Sequence, residues 1–297
     1  MTESIHLRPW AGWEDLPGMQ AVLAEGLRDA PGRTYEHPGD VAWWIGGSAG
    51  PTSPLAERIR IWQSAGRILG WVVVDEDDVG EYVHPSVLDT PAASVFFAQV
   101  DEWLASLEVS LTRYPREDDD LAVARLRAAG WVPDPSGGMC CYSRSLHDAG
   151  WPADPRVRPV VGPDDLTGRL RITHAAFAAA QPFGDYARDR RGFVESPAYP
   201  AGWDLVAWTD GDEPAACCIA WPDPVSLTGN FEPVATHPRH TRRRFGTAVM
   251  SEGLRRLASA GMRRAIVRTP LGNVGADAFY LSIGFAPVHV ERAYVRT

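Results

Sequence analysis

The turn at residues 237–246 carries groups that are well suited to binding an anion. It reads His-Pro-Arg-His-Thr-Arg-Arg-Arg-Phe-Gly, between a β-rich run at 231–236 and an apolar helical repeat. The first amides of a helix lack intrahelical acceptors, and the helix dipole adds positive charge there. A strand leading directly into such a helix predicts a phosphate site, which would suit a pyrophosphate. An ordinary βαβ unit with a solvated arginine turn has the same pattern, so this pattern alone leaves both interpretations open.

The elements around this turn alternate between strand and helix. Apolar residues recur at helical spacing from 245 to 260, and Gly261 suits a left-handed cap. A β-rich run follows at 265–269, and a second helix is expected to begin near Asn273. The turn is therefore predicted to lie where a strand meets a helix.

Two motifs in this segment resemble those of the GNAT acyltransferases. Their phosphate loop usually reads Val-x-Pro-x-x-Arg-x-x-Gly-x-Gly or Ala, and Thr236 and Pro238 match its start. Thr241 stands where Arg or Gln is usual, Arg244 replaces the first Gly, and Gly246 matches the second. Glycine at the first position lets the backbone approach the pyrophosphate, so Arg244 predicts a rearranged or weakened grip.

The second motif matches the family without a gap. The helix reads Asn273-x-x-Ala276-x-x-x-Tyr280-x-x-x-Gly284-Phe285, as the family's helix does. The two motifs, in this order and with a strand between them, imply the GNAT fold for the C-terminal half.

The resemblance implies that acetyl-coenzyme A is the co-substrate, and it implies no metal. Amides from Arg242 to Thr247 would hold the pyrophosphate, and the strand from Val234 to Thr236 would hold the pantetheine. The residues implied in binding are Val234, Ala235, Thr236, Thr241, Arg242, Arg243, Arg244, Phe245, Gly246, Thr247, Asn273, Ala276 and Tyr280.

The resemblance also implies catalytic roles. Acyl transfer from a thioester needs a base for the attacking amine and an acid for the departing thiolate. Tyr280 matches the family's general acid, and Glu232 lies on the strand where related enzymes often place a carboxylate. Strand alternation would also allow Glu232 to face solvent, with His174 or His237 as the base. Tyr280 could instead only pack on the sheet.

Composition limits the remaining possibilities. The chain has 297 residues, a net charge of -9, 45% hydrophobic and 23% charged residues, as in a globular protein of two domains. We expect no nucleic-acid partner, despite the local arginines. We also expect no membrane span or signal peptide, and therefore a cytoplasmic protein. The protein is expected to be a monomer or homodimer. The adjacent pairs Cys140-Cys141 and Cys217-Cys218 indicate buried thiols.

The first 146 residues repeat the same order of elements in a degenerate form. The helix at 121–131 resembles the one that ends at Phe285, but the stretch 86–94 lacks the glycine loop and contains a proline. We therefore predict an α/β (α+β) protein of two tandem GNAT-like domains, each a mixed, centrally splayed sheet flanked by helices. The expected boundaries are 1–146 for the degenerate domain, 147–156 for a Pro/Gly-rich linker and 157–297 for the acyltransferase domain.

The predicted function is transfer of an acetyl group from acetyl-coenzyme A to an amine by direct attack. A catalytically silent acyl-coenzyme A sensor and an interaction scaffold remain as alternatives. The acceptor is a small-molecule or peptide amine that the motifs do not identify, although the acidic charge mildly favours a cation. Two local features are also expected: Asp164 or Asp165 as a helix cap, and an irregular connection at 182–200 whose aromatics line a pocket or pin the loop to the core.

Overall fold

The computed structural model describes residues 6–33, 36–47, 54–107, 109–147, 150–151 and 153–296. Residues 1–5 at the N-terminus, where no signal peptide is expected, and linker residues 148, 149 and 152 lie outside the described residues. Within the described ranges, every helix is too short or too polar to cross a membrane.

The first half of the chain contributes six strands and six helices among its described residues. The strands are β1 (His6–Pro9), β2 (Ile59–Ser64), β3 (Arg67–Asp75), β4 (Asp78–Val83), β5 (Leu111–Arg113) and β6 (Val132–Ser145). The helices are α1 (Leu16–Asp29), α2 (Pro38–Gly47), α3 (Leu55–Arg58), α4 (Pro85–Leu88), α5 (Pro91–Ala105) and α6 (Asp120–Ala128).

The second half repeats the order of strands. Its strands are β7 (Val157–Pro159), β8 (Asp204–Trp208), β9 (Pro214–Asp223), β10 (Thr228–Thr236), β11 (Arg264–Pro270) and β12 (Ala286–Arg296). Its helices are α7 (Gly162–Phe177), α8 (Phe183–Glu195), α9 (Phe245–Ser259) and α10 (Val274–Ser282). The predicted strand, helix, strand, helix succession from 231 to 285 is confirmed, including the left-handed Gly261, whose φ is 86°.

The strands form a single 12-stranded sheet in the order β1-β2-β3-β4-β5-β12-β6-β11-β10-β9-β8-β7. If each strand is replaced by its counterpart in the other half (β1 by β7, β2 by β8, and so on to β6 by β12), the order read from one edge becomes the order read from the other. This symmetry confirms the internal repeat that the sequence predicts. It also joins the two expected sheets into one.

The last strand of each half lies among the strands of the other half. β6 pairs antiparallel with β11, and β12 pairs antiparallel with β5. β6 and β12 also pair with each other at the centre of the sheet. The two halves therefore exchange their final strands, which the sequence analysis did not predict.

Each half contains one pair of parallel strands that separate. β10 pairs with β11 only from Thr228 to Phe231, and β4 pairs with β5 only at Asp78 and Val79. Beyond these points the neighbouring backbones diverge, as predicted for a centrally splayed sheet. A splay leaves backbone N–H and C=O groups free to bind a ligand.

The connection at 182–200 is mainly helical, which corrects the expectation of an irregular segment. Aromatic residues at helical spacing place Tyr186 and Phe193 on the buried face of α8. The Phe193 ring lies 5.0 Å from that of Trp43 and 6.1 Å from that of Trp221. These aromatics therefore pin the helix to α2 and β9 and line no part of the cavity described below.

Helix α7 begins before the predicted caps, so neither Asp164 nor Asp165 is its N-cap. Instead, Asp165 accepts a hydrogen bond from the amide of Val161, 3.0 Å away, from within the first turn. Among the cysteines, Cys141, Cys217 and Cys218 are buried and Cys140 is partly buried, and all four are free thiols.

Candidate functional site

The turn at 237–246, which is predicted to bind phosphate, leads into α9 through a residue with a left-handed backbone conformation. Arg244 is the N-cap of α9 with a φ of 66°, and Arg242 has a φ of 61°. Glycine adopts this region without the steric cost that a Cβ brings. Arg244 therefore keeps the backbone shape that the usual glycine would give, and its side chain is exposed to solvent along with those of Arg242 and Arg243.

Gly246 lies where the first turn of α9 approaches the end of β10. A Cβ at this position would lie 3.0 Å from Thr236 Oγ1 and 3.4 Å from the ring of Phe279. The helix start, the strand end and α10 therefore meet with little space between them. Thr247 is the next residue of the same turn and is partly exposed.

Two other members of the predicted loop have structural contacts. Thr241 Oγ1 donates a hydrogen bond to the carbonyl of Pro238, 3.1 Å away, and the residue is exposed. Phe245 is buried, and its ring lies 5.9 Å from that of His240. These residues shape the turn, and its exposed surface is arginine.

The end of β10 has one free edge. Val234, Ala235 and Thr236 pair with β9 on one side, and on the other side β11 has already diverged. The Ala235 side chain is buried in a cluster with Ile172 of α7. The backbone groups that face away from β9 are thus placed for an extended ligand such as pantetheine.

Asn273 caps α10 from an exposed position. Its Oδ1 accepts a hydrogen bond from the amide of Ala276 at 3.2 Å, so the motif spacing is used for helix capping. Asp119 of the first half accepts from the amide of Ala122 at 3.1 Å in the same manner. The two halves therefore share the cap of this helix.

Tyr280 is buried among aromatic rings on α10. Its ring lies 5.7 Å from that of Tyr142 and 6.0 Å from that of Phe285. Burial raises the pKa of Tyr280, and the charge of Glu232 raises it further. The phenol therefore stays protonated at neutral pH and lies within electrostatic reach of the Glu232 carboxylate.

Glu232 lies at the point where β10 leaves β11. The residue is partly exposed, like Val234 and Thr236, although a bulge between Phe231 and Val234 interrupts the pairing of β10 with β9. Its carboxylate lines an internal cavity instead of facing bulk solvent. Burial raises the pKa of Glu232 to about 7, with a further contribution from Asp40.

The two alternative bases have other contacts. His174 Nε2 lies 2.7 Å from the carbonyl of Gln181, and its ring packs beside Phe183 and Tyr186. The ring nitrogen of His237 accepts a hydrogen bond from the amide of Arg239. Both histidines therefore serve local structure.

A buried ionic cluster lies beside Glu232, and the sequence analysis missed it. Arg268 of β11 pairs with Glu36, with Asp40 at 2.7 Å and with Glu291 at 3.4 Å. Burial opposes the charge of Arg268, yet the three carboxylates together raise its pKa well above the usual value. The one signal in the sequence is an arginine inside a β-rich run, which needs a buried partner that spacing cannot identify.

The other arginines of this segment divide by their partners. Arg255 and Arg256 bind Glu252, and Arg239 binds Glu213. The exposed arginines of the turn are thus the ones placed for an anionic ligand. No three His, Cys, Asp or Glu side chains in the described ranges are arranged to hold a metal ion.

A cavity of about 470 Å³ connects the two halves. Most of its wall comes from the first half, along the splay between β4 and β5, and Glu232, Arg268 and Glu291 complete it from the second half. Ligand pockets of small molecules commonly have this volume. The cavity therefore opens onto the side chain that sequence analysis predicts as the base.

Residues 172–285 match the model of the acetyltransferase (GNAT) family. A comparison of the whole sequence with curated proteins finds no match.

Solved structures resemble the whole chain at low identity. A tandem GNAT protein from the clavulanic acid biosynthesis pathway, in a structure without AcCoA, is 16% identical, with 99% of this chain and 98% of that one covered and a TM-score of 0.67. A GCN5-related N-acetyltransferase from Sphaerobacter thermophilus is 15% identical over 100% and 96%, with a TM-score of 0.61. An N-myristoyltransferase from Saccharomyces cerevisiae with bound myristoyl-CoA is 10% identical over 99% and 78%, with a TM-score of 0.60. Residues 172–285 therefore match a GNAT acetyltransferase domain, and the whole chain has the fold of a tandem GNAT protein.

Proposed function

We propose that this protein is an N-acetyltransferase that transfers the acetyl group of acetyl-coenzyme A to an amine, with its active site in the second half. The observation that carries the proposal is that Glu232 lies at the splay between β10 and β11, within electrostatic reach of the buried phenol of Tyr280. A carboxylate with a pKa of about 7 and a protonated phenol form the pair that acyl transfer from a thioester requires.

The reaction follows from this pair. Glu232 accepts a proton from the ammonium group of the acceptor, directly or through a water molecule, and the neutral nitrogen attacks the thioester carbonyl. The C–N bond forms, the tetrahedral intermediate collapses and the C–S bond breaks. Tyr280 donates its proton to the departing thiolate and regains one from the nitrogen as the amide forms. The free thiol, the amide and one proton are the products.

The proposed grip on acetyl-coenzyme A uses backbone more than side chains. Amides at the start of α9, from Arg242 to Thr247, would hold the pyrophosphate, and their partial positive charge is reinforced by the exposed arginines. The free edge of Val234, Ala235 and Thr236 would hold the pantetheine, with Asn273 and Ala276 nearby. The left-handed Arg244 supports this grip, because it keeps the turn in the shape that glycine provides in the family.

One structure of similar fold supports a ligand of this class. The yeast N-myristoyltransferase contains bound myristoyl-CoA, whereas the clavulanic-pathway tandem GNAT protein was solved without AcCoA. We propose that the chain consists of a degenerate domain (1–146), a linker (147–156) and an acyltransferase domain (157–297), and that only the last binds the thioester. The proposed setting is the cytoplasm.

The test is calorimetry with acetyl-coenzyme A followed by a thiol-release assay on a panel of amines. Gly246→Asp should weaken acetyl-coenzyme A binding at least 10-fold, because its side chain would meet Thr236 and its charge would repel the pyrophosphate. Gly184→Asp, which makes the same change in the first turn of α8 at an exposed site with no atom within 4 Å, is the control. Full affinity in the Gly246 variant would remove the assignment.

A catalytically silent acyl-coenzyme A sensor is the second candidate. The observation in its favour is that two of the loop's usual side chains are replaced, by Thr241 and Arg244. Binding of acetyl-coenzyme A without thiol release for any amine in the panel would identify the sensor. Absence of binding would leave the interaction scaffold.

A further inference from the structure

The cavity between the halves has a strong excess of negative charge. Among the described residues, nine carboxyl side chains and four arginines line it. Three of the carboxyls, those of Glu36, Asp40 and Glu291, pair with the buried guanidinium of Arg268, and Glu291 also pairs with His289. Burial, together with the charges of Asp40 and Glu291, raises the pKa of Glu36 well above its usual value. Asp89 pairs with Arg33 and Asp75 with Arg58, so the described carboxyl side chains of the cavity still outnumber the cations that pair with them.

Part of the unpaired negative charge of the cavity lies on the side of the second half. Toward β5, Glu81 is held by Arg113 and Arg125, so its charge is compensated. Toward β10, no hydrogen bond or ion pair to the Glu232 carboxylate is found among the residues that the structure describes. The Glu232 carboxylate therefore lies, without a partner among the described residues, beside a cluster that has more carboxyl groups than cations. Such a place can bind a cation from solution.

The walls of the cavity suit the body of an organic amine. Trp44, Tyr82, Phe97 and Tyr114 line it together with aliphatic side chains. Aromatic faces attract ammonium groups, and apolar walls bind the carbon skeleton that carries them.

The same features oppose a coenzyme in this cavity. Asp75 and Asp89 on its wall pair with Arg58 and Arg33, whereas Asp78 and Asp119 have no arginine partner among the described residues and would repel a pyrophosphate. Helix α5 begins with Pro91, so its first position has no amide N–H to donate, and its N-cap is Thr90. The first-half splay is thus built for a ligand of the opposite charge from that expected at α9.

We propose that this cavity is the acceptor pocket and that its ligand is a cationic amine with an apolar or aromatic body. The ammonium lies between Glu232 and the carboxylates around Arg268, and the body of the molecule extends into the splay between β4 and β5. The inference rests on the proposed function for the direction of transfer, because Glu232 joins the pocket to Tyr280. The degenerate half thereby supplies the substrate specificity of the active one.

Calorimetry on the full chain tests the pocket, with and without acetyl-coenzyme A. The probes are phenethylamine, benzylamine, 1,4-diaminobutane and spermidine. The uncharged control is 2-phenylethanol, which has a hydroxyl in place of the amine of phenethylamine. At least one amine should bind in the micromolar to millimolar range, and the alcohol should bind at least 10-fold more weakly. Equal binding of alcohol and amine, or no binding of any amine, would overturn the proposal.

Two variants test the location. Glu291→Gln keeps an oxygen that can accept from Arg268 but removes one charge, and it should raise the KM of the amine about 10-fold. Ser94→Trp fills the cavity from α5 and should raise the same KM at least as much, with the acetyl-coenzyme A affinity unchanged. The controls are Glu102→Gln and Val95→Trp, which make the same changes at exposed sites of α5 outside the cavity and should have no effect.

The outcomes separate this inference from the proposed function. Weaker acetyl-coenzyme A binding in Ser94→Trp, with amine binding intact, would place the thioester in the cavity and overturn the inference. Selective amine binding that Ser94→Trp abolishes would support the pocket, even if the chain proved unable to bind acetyl-coenzyme A and the proposed function failed. Amine binding that neither variant changes would place the acceptor elsewhere.

Discussion

The hydroxyl of Tyr280 lies in a largely apolar cluster that also contains the hydroxyl of Tyr142, and its contribution to the reaction can be measured separately from the packing of its ring. Tyr280→Phe keeps the ring against Tyr142 and Phe285 and removes the proton. Turnover should fall about 10²-fold, the usual worth of a positioned acid, while acetyl-coenzyme A affinity stays within a few-fold. Thiol release and calorimetry give the two quantities.

Tyr142→Phe is the matched control for that substitution. It removes a hydroxyl from the same cluster, but this hydroxyl donates to Asp277 at 2.8 Å and has no assigned part in the reaction. Turnover should change little. A similar loss in both variants would mean that packing of the cluster, and not a proton from Tyr280, limits the rate.

The pKa of Glu232 gives a pH dependence with a definite sign. The base acts as a carboxylate, so kcat/KM should rise as pH increases through about 7, where burial places its pKa. Glu232→Gln should lower kcat/KM about 10²-fold at pH 8 and remove this limb of the profile. A rate profile of the variant that still rises through pH 7 would assign the limb to another group.

At the residue scale, the sequence predicted which elements carry the two side chains, since Tyr280 lies on α10 and Glu232 on β10. Their catalytic roles stay predictions. The bulge after Phe231 and the salt bridge from Arg268 to Glu36 were not predictable, because they depend on contacts between residues far apart in the chain. Local periodicity carries no information about such partners.

The junction of β10 and α9 is an element whose shape can be tested through Arg244. Its left-handed φ of 66° costs about 1 kcal/mol for a residue with a Cβ. Arg244→Gly should therefore raise the free energy of unfolding by about 0.5–1 kcal/mol, as measured by urea denaturation. Any change in acetyl-coenzyme A binding would then report the side chain's contribution alone.

Arg243→Gly supplies the comparison, because Arg243 is exposed in the same turn but is not among the residues with positive φ. This variant should lose stability by up to about 1 kcal/mol through backbone entropy. Stabilisation by both glycines, or by neither, would contradict the strain assigned to position 244.

Element prediction succeeded where one period continued for several turns. Helices α9 and α10 lie within a residue or two of their predicted bounds. Helix α8 was missed, since the prolines and charged residues of 182–200 are typical of a loop. Its stability comes from Phe193 packing on Trp43 and Trp221, which belong to distant elements.

The ionic cluster around Arg268 ties the halves together across the whole molecule. Glu36 and Asp40 come from the first half, whereas Arg268 and Glu291 come from the second. Arg268→Met leaves three buried carboxyls without their cation and should lower the free energy of unfolding by about 3–5 kcal/mol. Urea denaturation at several pH values measures the loss.

The pH dependence of that loss distinguishes charge from packing. Uncompensated buried carboxyls have raised pKa values in the folded state, so protonation at pH 5 should restore part of the stability missing at pH 8. Arg264 lies on the same strand as Arg268, and Arg264→Met, which removes a 2.8 Å hydrogen bond to Thr228 of the neighbouring β10, should cost about 1 kcal/mol at both pH values. An equally pH-independent loss in Arg268→Met would contradict the charge explanation.

The architecture of the whole molecule was predictable as a repeat but not as an exchange. The order of strands and helices is local information, and it identified two copies. Whether β6 returns to its own half or enters the other depends on which edge, β5 or β11, offers the better partner. The sequence of β6 alone does not specify that choice.

The exchange of β6 and β12 has a consequence for biosynthesis. β5 leaves the ribosome about 180 residues before its partner β12. At roughly 5–20 residues per second, its edge waits on the order of ten to forty seconds for that partner. An unpaired edge invites intermolecular pairing during that interval. We therefore expect the nascent first half to need shielding by chaperones until translation reaches the last strand.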